Sequence, residues 1–333
     1  MTGQISGLGA LTLNAGGLIT INHAYSGAGN LVVAANDGLV VNANITTTSG
    51  SISLNGDANT TADSTDTIVF ANGVTVFANT SLTLRAQTAG MTAGALTLFA
   101  NSDVLVYNNL TGTGALVVNS DKDNDGLSHF FLEAGMTIDT GSSPITITGS
   151  DLVLDGSLVT SGTITLIASN SFAIGVGDGA GAFVVDKGEL SRITAGTLVI
   201  GDNTSGDVSI DNIASADVAN IGLVVINATQ NNKTVAFGSN ASSFNAVTVY
   251  ADDSITLHSS LSTIVGNLTL NADTDSTSGV DPLGDGIYED SGVFLTSAQA
   301  LILTYHQLIS TSFIANDGII ITANVNFISA LMI

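Results

Sequence analysis

Short apolar strips recur from one end of the chain to the other, each an alternation of two to four Val, Ile or Leu positions closed by Asn, Ala or Gly. They read LTLNA at 11–15, LVVAA at 31–35, ISLNG at 52–56, LTLRA at 82–86, LVVNS at 116–120 and ITITG at 145–149. The series continues with ITLIA at 164–168, LVIGD at 198–202, VVINA at 224–228, VTVYA at 247–251, LTLNA at 268–272 and IIITA at 319–323. Alternation with period two is the mark of a strand with one buried face. The shortest spacings between strips are 19 to 21 residues, and longer ones reach 34, as from Leu82 to Leu116. A second strip often follows the first within one period, as ITIN follows LTLNAGG. Several short strands per period, joined by Gly, Asn and Asp turns, predict a parallel β-solenoid of about 11–12 rungs with loop insertions on some of them. A lone rung has no partner for its apolar face, so stacking is obligatory. No segment sustains a 3.6-residue period with caps. Residues 214–220 (ASADVAN) read either as a single helical turn or as a loop. The 12 Phe residues mostly flank the strips, which predicts an internal aromatic stack.

Composition narrows the alternatives. Hydrophobic residues make up 44% of the 333 positions and β-branched types abound, which excludes a disordered chain. The 37 Gly show no period of three, which excludes collagen. No run of about 18 apolar residues survives without a polar interruption, so no membrane helix is expected. Asp and Glu number 28 against 5 Lys and Arg, a net charge of −23. That balance excludes a phosphate-neutralising nucleic-acid binder and disfavours anionic membrane surfaces. With no Cys there are no disulfides and no thiolate metal sites. The start, MTGQISGLGA, has neither the basic region nor the apolar core of a signal peptide. The end, ANVNFISALMI, stops inside a strand-like pattern. The expected organisation is one continuous solenoid over 1–333, either a segment of a longer chain or a stacking subunit of a filament.

Several segments carry a resemblance. GELSRITAGTLVIGDNTSGDVSI at 188–210, NLTLNADTDSTSG at 267–279 and GVFLTSAQALIL from Gly292 resemble the repeat region of giant bacterial adhesins of the filamentous-haemagglutinin type. The alternation of LTL, GxI and AxG strips extends the likeness over most of the chain. The resemblance implies a right-handed parallel β-helix, export to the cell surface or beyond, and a role in attachment or fibre building. It brings no catalytic residues, because that repeat region is structural. The amino-terminal secretion domain of those adhesins is not in this sequence, so two-partner export belongs to the implied parent protein.

Candidate chemistry lies in the insertions. Asp121, Asp123 and Asp125, in DKDNDG, match the first half of a calcium loop, in which alternate carboxylates in a Gly turn converge on one ion. The twelfth position is Leu132 and the nearest acid is Glu133, so the complete helical calcium-hand pattern is absent. A looser calcium site and a solvated acidic insertion both remain open. A second acidic stretch holds Asp273, Asp275, Asp281 and Asp285 after an equivalent strip, with the same two readings. Catalysis has little to draw on. Arg85, Lys122, Lys187, Arg192 and Lys233 are scattered, and His23, His129, His258 and His306 show no metal-ligand spacing. The pair Asp252–Asp253 is expected to turn the chain rather than cleave a glycoside. GVGDGAG at 175–181 precedes no helix and reads as a turn. The nine N-x-S/T sequons are compatible with glycosylation if the protein is exported.

The resulting expectation is a non-catalytic structural or adhesive segment of an extracellular fibre or surface adhesin. Its partners would be neighbouring rungs of a parent chain or further copies, end to end, and a host-surface or glycan receptor. The alternatives are a calcium-dependent binding module and, less favoured, a β-helical polysaccharide-active enzyme.

Overall fold

The computed structural model describes residues 5–7, 9–61, 65–86, 90–274, 284–305, 307–309, 312–322 and 326–327. It is 51% strand and 2% helix, and its strands pair in parallel with successive rungs, as a β-solenoid requires. The chain separates into two compact units, Met1–Ile164 and Thr165–Ile333.

In the first unit every rung supplies one strand to each of three parallel stacks. The first stack runs Leu11–Ala15, Leu31–Ala35, Ile52–Asn55, Leu82–Arg85, Val104–Val106, His129–Leu132 and Asp151–Leu154. The second runs from Ile19–Ile21 to Ser157–Val159, and the third from Ile5–Ser6 to Ile145–Gly149. Register is strict. Leu31, Ile52, Leu82, Val104, Phe130 and Leu152 form one inward column, each no more than 3% exposed. Between them, Thr, Ser, Asn and occasional apolar side chains point outward, because neighbouring strand positions face opposite sides.

The rung length is more regular than the strips imply. Leu82 pairs with Val104, 22 residues on, not with Leu116. Leu116 belongs to the third stack, above Leu96. The apparent 34-residue period therefore compared two different faces. Val104–Val106 has only three residues and a single inward pair, too brief to stand out as a strip. Among the described residues of this unit, the long corners are 57–61 with 65–67 and 121–128.

The corners explain the Asn and Gly content. Asn72 Oδ1 accepts the Ala95 amide at 2.8 Å, and Asn42 donates to Asn22 at 2.8 Å one rung below. Such side chains bond rung to rung where the ladder is interrupted. A Cβ on Gly50 or Gly114 would collide with the backbone of the rung beneath, at Asn30 and Ala95.

The second unit repeats the scheme. One stack runs Ile193–Ile200, Ile221–Ala228, Val247–Ala251, Leu268–Asn271, Leu301–Thr304 and Ile319–Thr322. A second contains Ile174–Gly177, Val208–Asp211, Thr234–Phe237, Ser254–Leu257 and Gly286–Glu289. The only helix among the described residues is Lys187–Ser191, far too short to cross a membrane. Asp186 caps it: its carboxylate accepts the Glu189 amide while Glu189 accepts the Asp186 amide. This capping box is legible in the sequence as D-x-x-E, although no sustained helical period surrounds it. Residues 215–220 form turns rather than helix.

The aromatic stack is partial. Phe70, Phe130, Phe183, Phe237 and Phe244 are buried, whereas Phe77 and Phe99 neighbour each other on an outward, half-buried face and Phe294 is 46% exposed.

Replacing Phe130 by Ala empties the inward column at its largest ring. Unfolding free energy, followed in urea, should fall by about 3–5 kcal/mol. Thr111→Ala, on an exposed outward position, should change it by no more than about 0.5 kcal/mol.

Candidate functional site

A strand that ends in Asn can close its corner through its own side chain, and this happens three times with an Asp two residues on. Asn55 Oδ1 accepts the Asp57 amide at 3.0 Å, Asn119 Oδ1 the Asp121 amide at 2.9 Å, and Asn271 Oδ1 the Asp273 amide at 3.0 Å. Each of these Asn-x-Asp corners opens an insertion. In the first two the Asp is driven inward: Asp57 is 3% exposed and Asp121 is 1% exposed.

The 121–128 insertion gathers the first group of predicted carboxylates. Asp121, Asp123 and Asp125 each place an oxygen within 4.8 Å of the others. Asp121 holds the loop together, accepting the Asp125 amide at 3.1 Å and the Gly126 amide at 3.0 Å. Asn124 and Gly126 adopt positive φ, 59° and 78°, which lets the chain curl around that carboxylate. Asp125 Oδ1 in turn accepts the Leu127 amide at 2.9 Å. Asp123 points outward, and its pKa is raised, first by desolvation and then by the charges of Asp125 and Asp121. The cluster suits a hard cation, and one oxygen from each acid would supply three of the six to eight that calcium takes.

The second predicted group is not gathered in the same way. Asp275 and Asp281 lie outside the described residues. Asp273 sits at its Asn-x-Asp corner, and Asp285 is buried at φ 55° where the chain re-enters the strand Gly286–Glu289. Among the described residues these two acids join no group of three carboxylates able to share an ion. Asp285 instead acts with Asp253 on Tyr288, whose hydroxyl pKa is raised by burial first and by those two charges next.

The pair Asp252–Asp253 turns the chain, as its sequence predicts. Both are buried between Val247–Ala251 and Ser254–Leu257, and Asp252 accepts the Asn232 amide at 2.7 Å. Two histidines pair with surface carboxylates, His129 with Asp103 at 2.9 Å and His258 with Asp290 at 3.0 Å. His23 is exposed, and His306 lies outside the described residues.

A cavity of about 420 Å³ on the first unit has no counterpart in the sequence expectations. Asn55, Asp57, Arg85, Tyr107, Asn108 and Glu133 contribute to its lining. Its wall is the outward register position at the end of the first stack. Asn55 pairs with Arg85, and the amides of Tyr107 and Glu133 bond the preceding rungs at Leu84 and Val106. The Arg85 guanidinium lies 3.6 Å from the centre of the Tyr107 ring, and Tyr107 packs on Phe131 at 5.5 Å. Both Asp57 carboxylate oxygens are buried without a hydrogen-bond partner. The signal is present as NGD at 55–57, but its meaning depends on Tyr107 and Glu133, 52 and 78 positions beyond Asn55.

Comparison with protein-family models, with curated proteins and with solved structures finds no match.

Asp121→Ala removes the acceptor for two loop amides and should lower unfolding free energy by about 1–3 kcal/mol. Asp123→Asn should act oppositely. A raised folded-state pKa means the charged Asp123 disfavours the fold, so this stability is present at low pH and lost as pH rises through the folded value. The variant should melt no lower than the parent at pH 7 in chelator, and the two curves should merge below the ordinary aspartate range.

Proposed function

We propose that the chain is a structural and adhesive segment of an extracellular bacterial fibre or surface adhesin, with no catalysis. The observation that carries this reading is the half-buried apolar face of the first described rung of the Met1–Ile164 unit. Leu11, Leu13, Ile19 and Ile21 point inward yet stay half-buried, whereas their partners one rung on, Leu31, Val33, Leu39 and Val41, are 0–1% exposed. Among the described residues, Leu11–Ala15 and Ile19–Ile21 pair on one side only, with Leu31–Ala35 and Leu39–Val41. In the second unit Ile319 and Ile320 are 37% and 53% exposed on the last described strand of its stack. A half-buried apolar column of this kind can be covered by a rung of a second copy. The resemblance to haemagglutinin-type adhesins supports the same reading, and with it surface localisation and a host-surface or glycan receptor.

Calcium is the second reading, favoured by the approach of Asp121, Asp123 and Asp125 within 4.8 Å. An ion there would brace the corner insertion rather than react.

Negative-stain micrographs and sedimentation over a concentration series read the main proposal directly. Filaments or growing assemblies are expected, and Ile19→Lys should suppress them by placing a charge on that half-buried apolar face. Discrete, monodisperse particles at high concentration sink it. For the second reading, millimolar calcium should raise the melting midpoint of the parent but not of Asp123→Asn. An unchanged parent midpoint removes calcium from the account.

A further inference from the structure

We propose that the cavity beside Arg85 and Tyr107 binds one residue of a neutral sugar. Its volume, about 420 Å³, is within the range of small-ligand sites. The chemistry of its lining selects among ligands. Arg85 is exposed, sits over the Tyr107 ring, and makes no ion pair among the described residues. Its planar fork of N–H donors is held by the ring, so little freedom is lost on binding. The Asn55 oxygen is taken by the Asp57 amide, which leaves its NH2 group to donate. On the accepting side stands Glu133, half-buried, while the Asp57 carboxylate is buried beside the cavity and adds negative charge to its wall without meeting a ligand directly. The Tyr107 hydroxyl can do either.

A small anion would meet Arg85 but also the negative charge of two carboxylates. A simple cation would meet that charge but also a guanidinium fixed in place. A neutral polyol escapes both conflicts, because each hydroxyl donates one hydrogen bond and accepts others. A carboxylate and a guanidinium flanking adjacent hydroxyls each make the stronger, charge-assisted kind. The aromatic pair Tyr107–Phe131 keeps this wall rigid, so the donors and acceptors are placed before the ligand arrives. The site is built on two features of the solenoid: a register column that repeats at each rung, and the insertion that opens at Asp57.

As the receptor contact of an adhesin this proposal rests on the fibre reading, but the cavity can be tested alone. Saturation-transfer NMR on the full chain would use glucose, galactose, mannose, N-acetylglucosamine, lactose and maltose. Glucuronate, inorganic phosphate and propylamine would serve as charged controls. At least one neutral sugar should receive saturation and outcompete the controls. Arg85→Gln and Glu133→Gln should each weaken it about tenfold, the loss of one charge-assisted hydrogen bond. Arg85 is exposed and Glu133 only half-buried, so the melting midpoint should hold. The proposal is overturned if no neutral sugar binds, if both variants bind as the parent does, or if phosphate, glucuronate or propylamine binds better. Filaments without sugar binding remove this site alone, and sugar binding without filaments removes the fibre reading alone.

Discussion

The interaction on which everything else depends is the parallel hydrogen-bond ladder between one rung and the next. A rung of 20 to 22 residues cannot satisfy its own backbone groups or bury its own apolar side chains. Both needs are met at once when Leu31 sits on Leu11, Ile52 on Leu31 and Leu82 on Ile52. A slip of one residue would turn every inward Val, Ile and Leu of a strand to solvent. The register is therefore enforced at both ends of each strand. Apolar columns enforce it in the middle, and corner amides such as Asn72 and close-packed glycines such as Gly50 enforce it at the turns.

That ladder also dictates where variation is tolerated. Extra residues can enter only at corners, because inside a strand they would break the register of every rung that follows. The described insertions obey this, and those at 57–61 with 65–67, at 121–128 and after Asp273 share one opening device, an Asn that caps the backbone of an Asp two residues ahead. Buried Asp is ordinarily costly. At Asp121 the cost is offset by the amides of Asp125 and Gly126. At Asp57 no such amides close over the carboxylate. One corner motif thus produces a self-satisfied loop in one place and a polar cavity wall in another, and the difference lies in the residues that follow.

Much of the fold was legible in the strips. Period-two alternation marks which side chains face inward, and the 20- and 21-residue spacings from Leu11 through Ile52 match the true rungs. Legibility failed where a strand had too few inward residues to make a strip. Val104–Val106 is too short to show as a strip, and the strip at Leu116 belongs to the third stack. The acidic loop was visible because Asp121, Asp123 and Asp125 are near neighbours in sequence. The cavity was not, because Asn55, Arg85, Tyr107 and Glu133 meet only through stacking, at separations set by insertion lengths that no local pattern encodes. The five-residue helix was missed for another reason: its capping box is explicit, but one turn is too short for periodicity to show.

The scarcity of cations gives the outward columns unusual weight. With 28 acids available, Lys187 takes Asp178 at 2.8 Å and Lys233 approaches Asp207 at 3.9 Å, as simple electrostatics predicts. Arg85 and Lys122 do otherwise. Arg85 lies on Tyr107, and Lys122 lies 4.8 Å from the centre of the Phe99 ring. Both aromatic partners are outward residues on stacked strands or directly beyond them, positions that contribute little to the core. A solenoid leaves such positions open to change, since the inward columns, the backbone ladder and the corners carry the stability. A cation held by a ring keeps its N–H donors for something else, whereas a cation in an ion pair has already spent them. On this surface the aromatic residues act less as sticky patches than as seats that orient a few scarce positive charges.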